Sequence, residues 1–271
     1  ILALMEDEST NGTPDAISYG TCIAAWAQCA STNAKAGANA EAILTRMHSR
    51  GMENEDAPKP TTRCFNSVLL AYANGRQEGG GKRALELLRF MEQLHSEGYE
   101  DCQPDLYTFN IVMKALTNCK EEGAPAKASQ LLRRMELSSR LKPDIFSYNI
   151  VLDAFSRKGD AESAERLLAD MYDGSKRGSI TKPNAHSYTA VLTAWARNED
   201  EKVVATATKR AEELFNSLER KYAAGVTDVR ADTSVYNALI NVWTKQGDRK
   251  ALYRVTQLLE LMEELGLQGG D

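Results

Sequence analysis

Five polar side chains recur at one register of a repeated apolar pattern, each directly after an aromatic residue. They are Asn66, Asn110, Asn149, Thr189 and Asn237. Inside a helix, Asn is roughly 0.5–0.7 kcal/mol less favourable than Ala. A single such residue is explained by helix capping or by a hydrogen bond to a neighbouring carbonyl. Five in register favour a row of hydrogen-bonding groups that serves a ligand.

The residues around this register repeat as two helices. The aromatic residues are Tyr19, Phe65, Phe109, Tyr148, Tyr188 and Tyr236. Apolar residues spaced at i, i+3, i+4 and i+7, as in 148–155, predict the buried face of a first helix. A second helix follows with the pattern A-x-x-L-L-x-x-M, as in 84–91, and its Leu and Met residues are interpreted as core.

These paired helices predict an all-α solenoid of about six helix–turn–helix repeats, because one hairpin cannot bury its apolar face alone. We expect one solenoid domain over 1–271. Its predicted repeats span approximately 16–61, 62–105, 106–144, 145–184, 185–232 and 233–271, and 1–15 is expected to end a preceding repeat.

The bulk properties argue against several classes of protein. The 271 residues carry a formal net charge of −5, and no apolar run is long enough to span a membrane. The five cysteines form no CxxC pair and the three histidines are scattered, which argues against a zinc site. The chain begins without Met or a targeting leader, so we expect a fragment of a longer protein.

An enzyme is the first rival interpretation. The stretch EGGGKRA at 78–84 is similar to a phosphate-binding loop, but Arg76 stands where the motif needs Gly, and Arg83 where it needs Ser or Thr. No strand pattern precedes it, and no catalytic constellation is found. We therefore predict that this fragment is not an enzyme, and a catalytic domain outside it is left open.

The repeats resemble the pentatricopeptide repeat, in a P-type-like form with long loops, over nearly the whole chain. The aromatic-Asn pair, the A-x-x-L-L-x-x-M helix and a closing Pro-Asp carry the resemblance, most clearly in 142–171 and 103–116. The related tetratricopeptide repeat is not expected to place Asn after the aromatic residue. The repeats, of about 39 to 48 residues, are longer than the family's standard unit. The resemblance implies a right-handed superhelix.

The resemblance also implies sequence-selective binding of single-stranded RNA, with about one base read by each repeat. A base is read by the polar residue of the first helix and by the closing residue of the same repeat. The implied pairs are Asn66 with Asp105 for U, Asn110 with Asp144 for U, Asn149 with Asn184 for C and less well U, and Thr189 with Asp232 for G. The implied core is 5′-U-U-C/U-G-3′. Asn237 lacks an assignable partner, and the pair of Gly20 and Thr61 is left unassigned.

The closing residues are also good helix N-caps, and both roles are compatible. Three residues before the reading position, base stacking is expected from Arg63, Tyr107, Phe146 and His186. His186 has no catalytic partner in its motif. A later shared position is expected to contact phosphates through Arg157, Arg197 and Lys245.

The distribution of charge agrees with an RNA partner. The predicted first helices carry eight basic residues and one acidic residue, Asp153, so the negative net charge belongs to the outer helices and loops.

The alternative function is a tetratricopeptide-like scaffold that binds a peptide in its groove. By resemblance, we expect a mitochondrial or chloroplast protein in RNA processing, stabilisation or translation. We expect a monomer without cofactor, metal or membrane contact, and protein partners are left open.

Overall fold

The computed structural model describes residues 14–54, 56–119, 122–176, 181–198 and 204–267. These residues form twelve α-helices and a short 3-10 helix at Glu100–Cys102. The helices are α1 Ala16–Gln28, α2 Ala36–Glu53, α3 Thr62–Gly75, α4 Gly80–Ser96, α5 Leu106–Asn118, α6 Ala124–Leu137, α7 Ile145–Lys158, α8 Ala161–Lys176, α9 Ala185–Arg197, α10 Val204–Ala223, α11 Thr233–Thr244 and α12 Arg249–Glu264. Most of the predicted preceding repeat, residues 1–13, lies outside the described residues. None of the described helices combines the length and apolar character needed to cross a bilayer.

Local chemistry sets the ends of the first helices. The helices α5, α7 and α9 begin after Asp105, Asp144 and Asn184, and each cap side chain accepts a hydrogen bond from the backbone N–H three residues later. This satisfies a donor that the helix itself leaves unpaired. At the other end of α7, Gly159 adopts a left-handed conformation with φ 68°. A Cβ at Gly159 would lie only 3.1 Å from the Arg197 carbonyl oxygen, so glycine is needed twice over.

The hairpins bury the predicted apolar stripes. All six aromatic residues that precede the reading register are buried. In the second helix α4, Ala84, Leu88 and Met91 are also inaccessible to solvent or nearly so. The first repeat departs from the pattern, because Ala25 is exposed where its counterpart Ala71 is buried.

The chain divides into two compact units, Ile1–Lys142 and Pro143–Asp271. In the N-terminal unit α3 packs against α1 and α5, and in the C-terminal unit α9 packs against α7 and α11. Consecutive repeats of each unit therefore meet through their first helices. The predicted fold class, an all-α solenoid of helical hairpins, is confirmed. The repeat boundaries, the single domain and the right-handed superhelix stay predictions.

A carboxylate clamp joins the first two repeats through Glu41 of α2. The hydroxyl of Tyr72 in α3 donates to Glu41 at 2.6 Å, and Nε of Arg83 in α4 donates to the same carboxylate at 2.9 Å. Burial and the nearby carboxylate raise the pKa of Tyr72. Both helices of one repeat thus hold a single side chain of the repeat before it.

A second carboxylate clamp joins the last two repeats through Glu212 of α10. The indole Nε1 of Trp243 donates to Glu212 at 2.9 Å, and Arg254 forms an ion pair with the same carboxylate. Between the fourth and fifth repeats, Arg210 pairs with Glu165 at 2.8 Å.

Candidate nucleic-acid interface

The closing residues of the repeats are N-caps in the structure, as their type allows. Asp232 accepts from the Val235 backbone N–H at 3.0 Å, and Asp144 from that of Ser147 at 2.9 Å. Thr61, which closes the first repeat, makes no side-chain cap bond. For the closing Asp and Asn residues, the cap role alone accounts for the position of the side chain at the start of its helix.

Asn66, Asp105 and Thr108 form one hydrogen-bonded group, called here the Asn66 cluster. The Thr108 hydroxyl lies 2.8 Å from Asn66 Oδ1 and 2.7 Å from Asp105 Oδ1. Asn66 Nδ2 lies 3.5 Å from Asp105 Oδ1, which also accepts from the Thr108 backbone N–H at 2.7 Å. The two residues predicted to read one base are thus in contact, although 39 residues separate them.

Asn149, Asn184 and Ser187 form the equivalent Asn149 cluster in the C-terminal unit. The Ser187 hydroxyl lies 2.8 Å from Asn149 Oδ1, and Asn149 Nδ2 lies 3.4 Å from Asn184 Oδ1. Asn184 Oδ1 also accepts from the Ser187 backbone N–H at 3.0 Å. The same geometry therefore occurs in both units with a different closing residue.

The hydrogen-bond partners fix which way the reading amides face. The Asp105 carboxylate only accepts, so the amide nitrogen of Asn66 must face it and the amide oxygen must face Thr108. Asn184 Oδ1 already accepts from a backbone N–H, so Asn149 must likewise present its nitrogen. Asn66 and Asn149 consequently each have one amide N–H left for a ligand.

The free atoms of the two closing residues differ. Asp105 caps with Oδ1, so its Oδ2 remains as an acceptor. Asn184 also caps with Oδ1, so its free atom is Nδ2, a donor. Both residues are exposed. The clusters therefore present a donor beside an acceptor in one case and two donors in the other.

The Thr189 register is built differently. Its hydroxyl donates to the Ala185 carbonyl oxygen of its own helix at 3.0 Å, which leaves the oxygen lone pairs as acceptors. Asp232 caps with Oδ1 and keeps Oδ2 free. This pair therefore offers acceptors. Val235 stands where the other clusters have Thr or Ser, so no hydroxyl links the pair.

The remaining reading positions are exposed to different degrees. Asn237 is exposed, Asn110 and Asn149 are half-buried, and Asn66 is 8% exposed. A Cβ at Gly20 would meet no atom within 4 Å, so the first repeat leaves open space at this register.

An open cleft of about 420 Å³ connects the Asn66 cluster to the expected stacking residues. Arg63 lies on α3 and Tyr107 on α5, and both line this base cleft together with Asn66 and Asp105. A planar group between the guanidinium and the phenol ring would direct its edge toward the two polar residues. The cleft thus has the parts that base stacking and edge recognition require.

The apolar residues at the stacking register are exposed, which folding alone does not favour. Tyr107 is 55% exposed and Phe146 is 68% exposed, and Ile17 at the same register is 75% exposed. Arg63 and His186 are exposed as well. Within each unit, such exposed side chains on the first helices suit contact with a flat ligand.

Two family models match this chain. The PPR repeat family matches residues 143–197, and the pentatricopeptide repeat domain matches residues 98–158. Residues 98–197 belong to the pentatricopeptide repeat family. The resemblance seen in the sequence is thereby confirmed. A comparison with curated proteins gives no significant match.

Solved pentatricopeptide repeat structures share the fold. PPR10 from maize is 19% identical with a TM-score of 0.52, over 96% of this chain and 35% of that chain. PPR10 in complex with an 18-nt psaJ RNA element gives 0.50 at 19% identity, over 96% and 36%. The PPR domain of Arabidopsis thaliana protein-only RNase P 1, in complex with tRNA, gives 0.54 at 18% identity, over 84% and 100%. The chain therefore spans about a third of the length of PPR10.

His186 has a partner that the sequence motif did not reveal. Its Nε2 lies 3.0 Å from Asp153 Oδ1, the carboxylate of the neighbouring first helix. The expectation of no partner considered only the residues near His186 in the chain, whereas Asp153 is 33 residues away. This pair holds the imidazole at the exposed surface of the pentatricopeptide repeats.

The expected phosphate contacts lie at the C-terminal ends of first helices. Arg157, Arg197 and Lys245 are all exposed in the C-terminal unit. The equivalent residues of the N-terminal unit are amides, namely Gln28, Asn74 and Asn118.

Sequence reasoning missed Thr108 and Ser187, which orient the reading amides. A readable signal was present, since each lies three residues after a closing Asp or Asn, the spacing of a reciprocal cap. Their second role, toward a reading residue in the preceding repeat, carries no signal in the local sequence.

Proposed function

We propose that this pentatricopeptide repeat protein binds single-stranded RNA selectively, with about one base read by each repeat. The observation that carries the proposal is the contact of each reading Asn with its closing residue in the Asn66 and Asn149 clusters. Each contact leaves one free group on each partner. Two neighbouring groups of defined donor or acceptor character are what recognition of a base edge requires.

The free groups of the Asn66 cluster match uracil. Uracil carries an N3–H donor flanked by carbonyl acceptors. The amide N–H of Asn66 complements a carbonyl, and Asp105 Oδ2 complements N3–H. Cytosine would place its N3 acceptor against the carboxylate, which is repulsive. This supports the assignment of U to this repeat.

The free groups of the Asn149 cluster match cytosine. Its two donors face the O2 and N3 acceptors of that base, and the amide of Asn184 takes the place of a carboxylate. The acceptors of Thr189 and Asp232 complement the N1–H and amino donors of guanine. With Asn110 and Asp144 assigned to U by family resemblance, the proposed core is 5′-U-U-C/U-G-3′.

The proposed biological role follows from membership of the family. We assign the protein to RNA processing, stabilisation or translation in a mitochondrion or chloroplast. The complexes of PPR10 and protein-only RNase P 1 with RNA support an RNA ligand for this fold. In this proposal the chain acts as a monomer and uses no catalytic site of its own.

A binding measurement tests the proposal. Fluorescence polarisation would compare a labelled RNA containing 5′-UUCG-3′ with an RNA of the same composition in scrambled order. We expect tighter binding of the UUCG RNA, and a loss of about tenfold on Asn149→Ala. Asn216→Ala is the matched control, because Asn216 is an exposed amide on the second helix α10. Equally negligible binding of both RNAs would contradict the proposal and favour a peptide-binding scaffold.

A further inference from the structure

A second cleft, of about 410 Å³, lies at the C-terminal ends of α1, α3 and α5. It belongs wholly to the N-terminal unit and is separate from the base cleft. Its lining consists of Ala27, Gln28, Ser31, Asn74, Gly75, Arg76, Lys114 and Asn118. We call it the cation cleft, because its charged groups are all positive.

The cations of this cleft are unpaired. Arg76 and Lys114 are both exposed, and within the described residues no carboxylate forms an ion pair with either of them. No acidic residue lines the cleft. Amide and hydroxyl side chains supply further hydrogen-bond donors around the two charges. An anion with several oxygen atoms fits this chemistry.

The backbone of Arg76 supports a functional reason for its side chain. Arg76 follows the end of α3 with φ 50°, the one non-glycine residue with positive φ in the described part of the chain. Ten residues after the reading register, the same place is held by Gly159 and Gly247, with φ 68° and 65°. An arginine there adopts a conformation that glycine would adopt without strain. Strained backbone conformations of this kind are concentrated at functional sites.

The cation cleft also lies beside the helix register that carries no positive charge in the N-terminal unit. The register that carries Arg157, Arg197 and Lys245 in the C-terminal unit is an amide in each of the first three repeats. Two of those amides, Asn74 and Asn118, line the cation cleft beside Arg76 and Lys114. Lys114 is one helical turn from the reading residue Asn110, so the cleft adjoins the proposed path of the bases.

We infer that the cation cleft binds a backbone phosphate of the RNA through Arg76 and Lys114. This inference rests on the proposed RNA-binding function and adds a contact at the 5′ end of the proposed core, beside the repeats assigned to its first two bases. The cleft recognises the phosphodiester group and not the base, so it contributes affinity and register without sequence preference.

Two variants of Arg76 separate this role from a structural one. Arg76→Gln removes the charge and keeps a long polar side chain, whereas Arg76→Gly removes the charge and relieves the backbone. We expect R76G to melt at the same or a higher temperature than the wild type and yet to bind the UUCG RNA about tenfold more weakly. R89Q is the control, because Arg89 is an exposed cation on the second helix α4.

Salt dependence and a modified RNA identify the anion. In R76Q/K114Q, we expect the slope of log K against log salt to fall by about 0.7, the value for one phosphate of a single strand. A set of RNAs, each with one neutral methylphosphonate linkage at a different position near the 5′ end of the core, would locate the contacted phosphate. At the contacted linkage, the losses of binding free energy caused by the methylphosphonate and by R76Q should not be additive, since both changes remove the same interaction.

The outcomes distinguish the inference from the proposal beneath it. Absence of RNA binding by the wild-type chain overturns both. Sequence-selective binding with an unchanged affinity and salt slope in R76Q/K114Q overturns the phosphate site alone. Full additivity of R76Q with every methylphosphonate linkage also overturns it, because Arg76 would then act elsewhere.

Discussion

The Asn66 cluster of the N-terminal unit and the Asn149 cluster of the C-terminal unit share one hydrogen-bond pattern and differ in the closing residue and in the hydroxyl residue, Thr108 or Ser187. In both, a hydroxyl orients the reading Asn, and the closing residue caps a helix with Oδ1. The closing residue is Asp105 in one and Asn184 in the other. Capping therefore uses only one terminal atom of the closing side chain, and the other atom is free to contact a ligand.

The largest effect is expected from exchanging the closing residues. Asp105→Asn should move the preference at the first base of the core from U toward C, and Asn184→Asp should move the third base from C toward U. Each change should alter the ratio of dissociation constants for the two RNAs by about tenfold or more. Binding of RNAs that differ in that single base measures the ratio.

Stability provides the control for these exchanges. Asn and Asp are nearly equivalent N-caps, so both variants should unfold close to the wild-type temperature. A normal melting curve with an unchanged preference for U at the first base would contradict the reading role of Asp105. The difference between Asp105 and Asn184 would then affect only helix capping and not the choice of base.

An intermediate effect is expected from removing the orienting hydroxyl. Thr108→Val leaves the buried Asn66 Oδ1 without its donor and should cost about 1–3 kcal/mol of unfolding free energy. The amide is then free to turn, so discrimination between U and C at the first base should fall severalfold. Thr108→Ser should restore both. Chemical denaturation and RNA titration measure the two effects.

Thr208→Val is the matched control for Thr108→Val. Thr208 is also buried, but its hydroxyl bonds the Val204 carbonyl of its own second helix. It should lose stability without any change in base preference. If T208V and T108V alter the U to C ratio equally, the loss of discrimination reflects general destabilisation and not orientation of Asn66.

The smallest effect is expected from charge at the later register of the first helices. Arg157→Asn should weaken RNA binding a fewfold and lower the salt slope by about 0.7. Asn74→Arg, the reverse change in the N-terminal unit, should raise the slope by less, because the cation cleft beside it already supplies charge. Titrations at several salt concentrations measure both slopes. A full gain of about 0.7 in N74R would indicate that the cleft holds no phosphate.

Much of the fold follows from the local sequence. The repeated apolar stripes predict the twelve described helices, because burial at i, i+3, i+4 and i+7 is a local pattern. The closing Asp and Asn residues predict the helix starts for the same reason. The identity of the candidate reading residues also follows, since an Asn such as Asn149 is unfavourable at a helical position without a special role.

The rest depends on contacts between distant residues. The pairing of Asn66 with Asp105 and of Asp153 with His186 joins neighbouring repeats across loops of irregular length. The spacing in the sequence identifies the candidate reading and closing residues, but it does not show which side-chain atom of each remains free to bind a ligand. Arg76 shows a further limit, because glycine would be expected at a left-handed helix end and an arginine there predicts no such turn.

The carboxylate clamps limit how the repeats can be recombined. Within the described residues, the Glu41 carboxylate bonds to Tyr72 and Arg83 of the following repeat, and the Glu212 carboxylate bonds to Trp243 and Arg254 of its own following repeat. A repeat moved beside a neighbour that lacks these groups would leave a carboxylate or an arginine without its counterpart. Designers who exchange reading residues by point substitution keep every clamp intact. Those who transplant whole hairpins must transfer neighbouring repeats together.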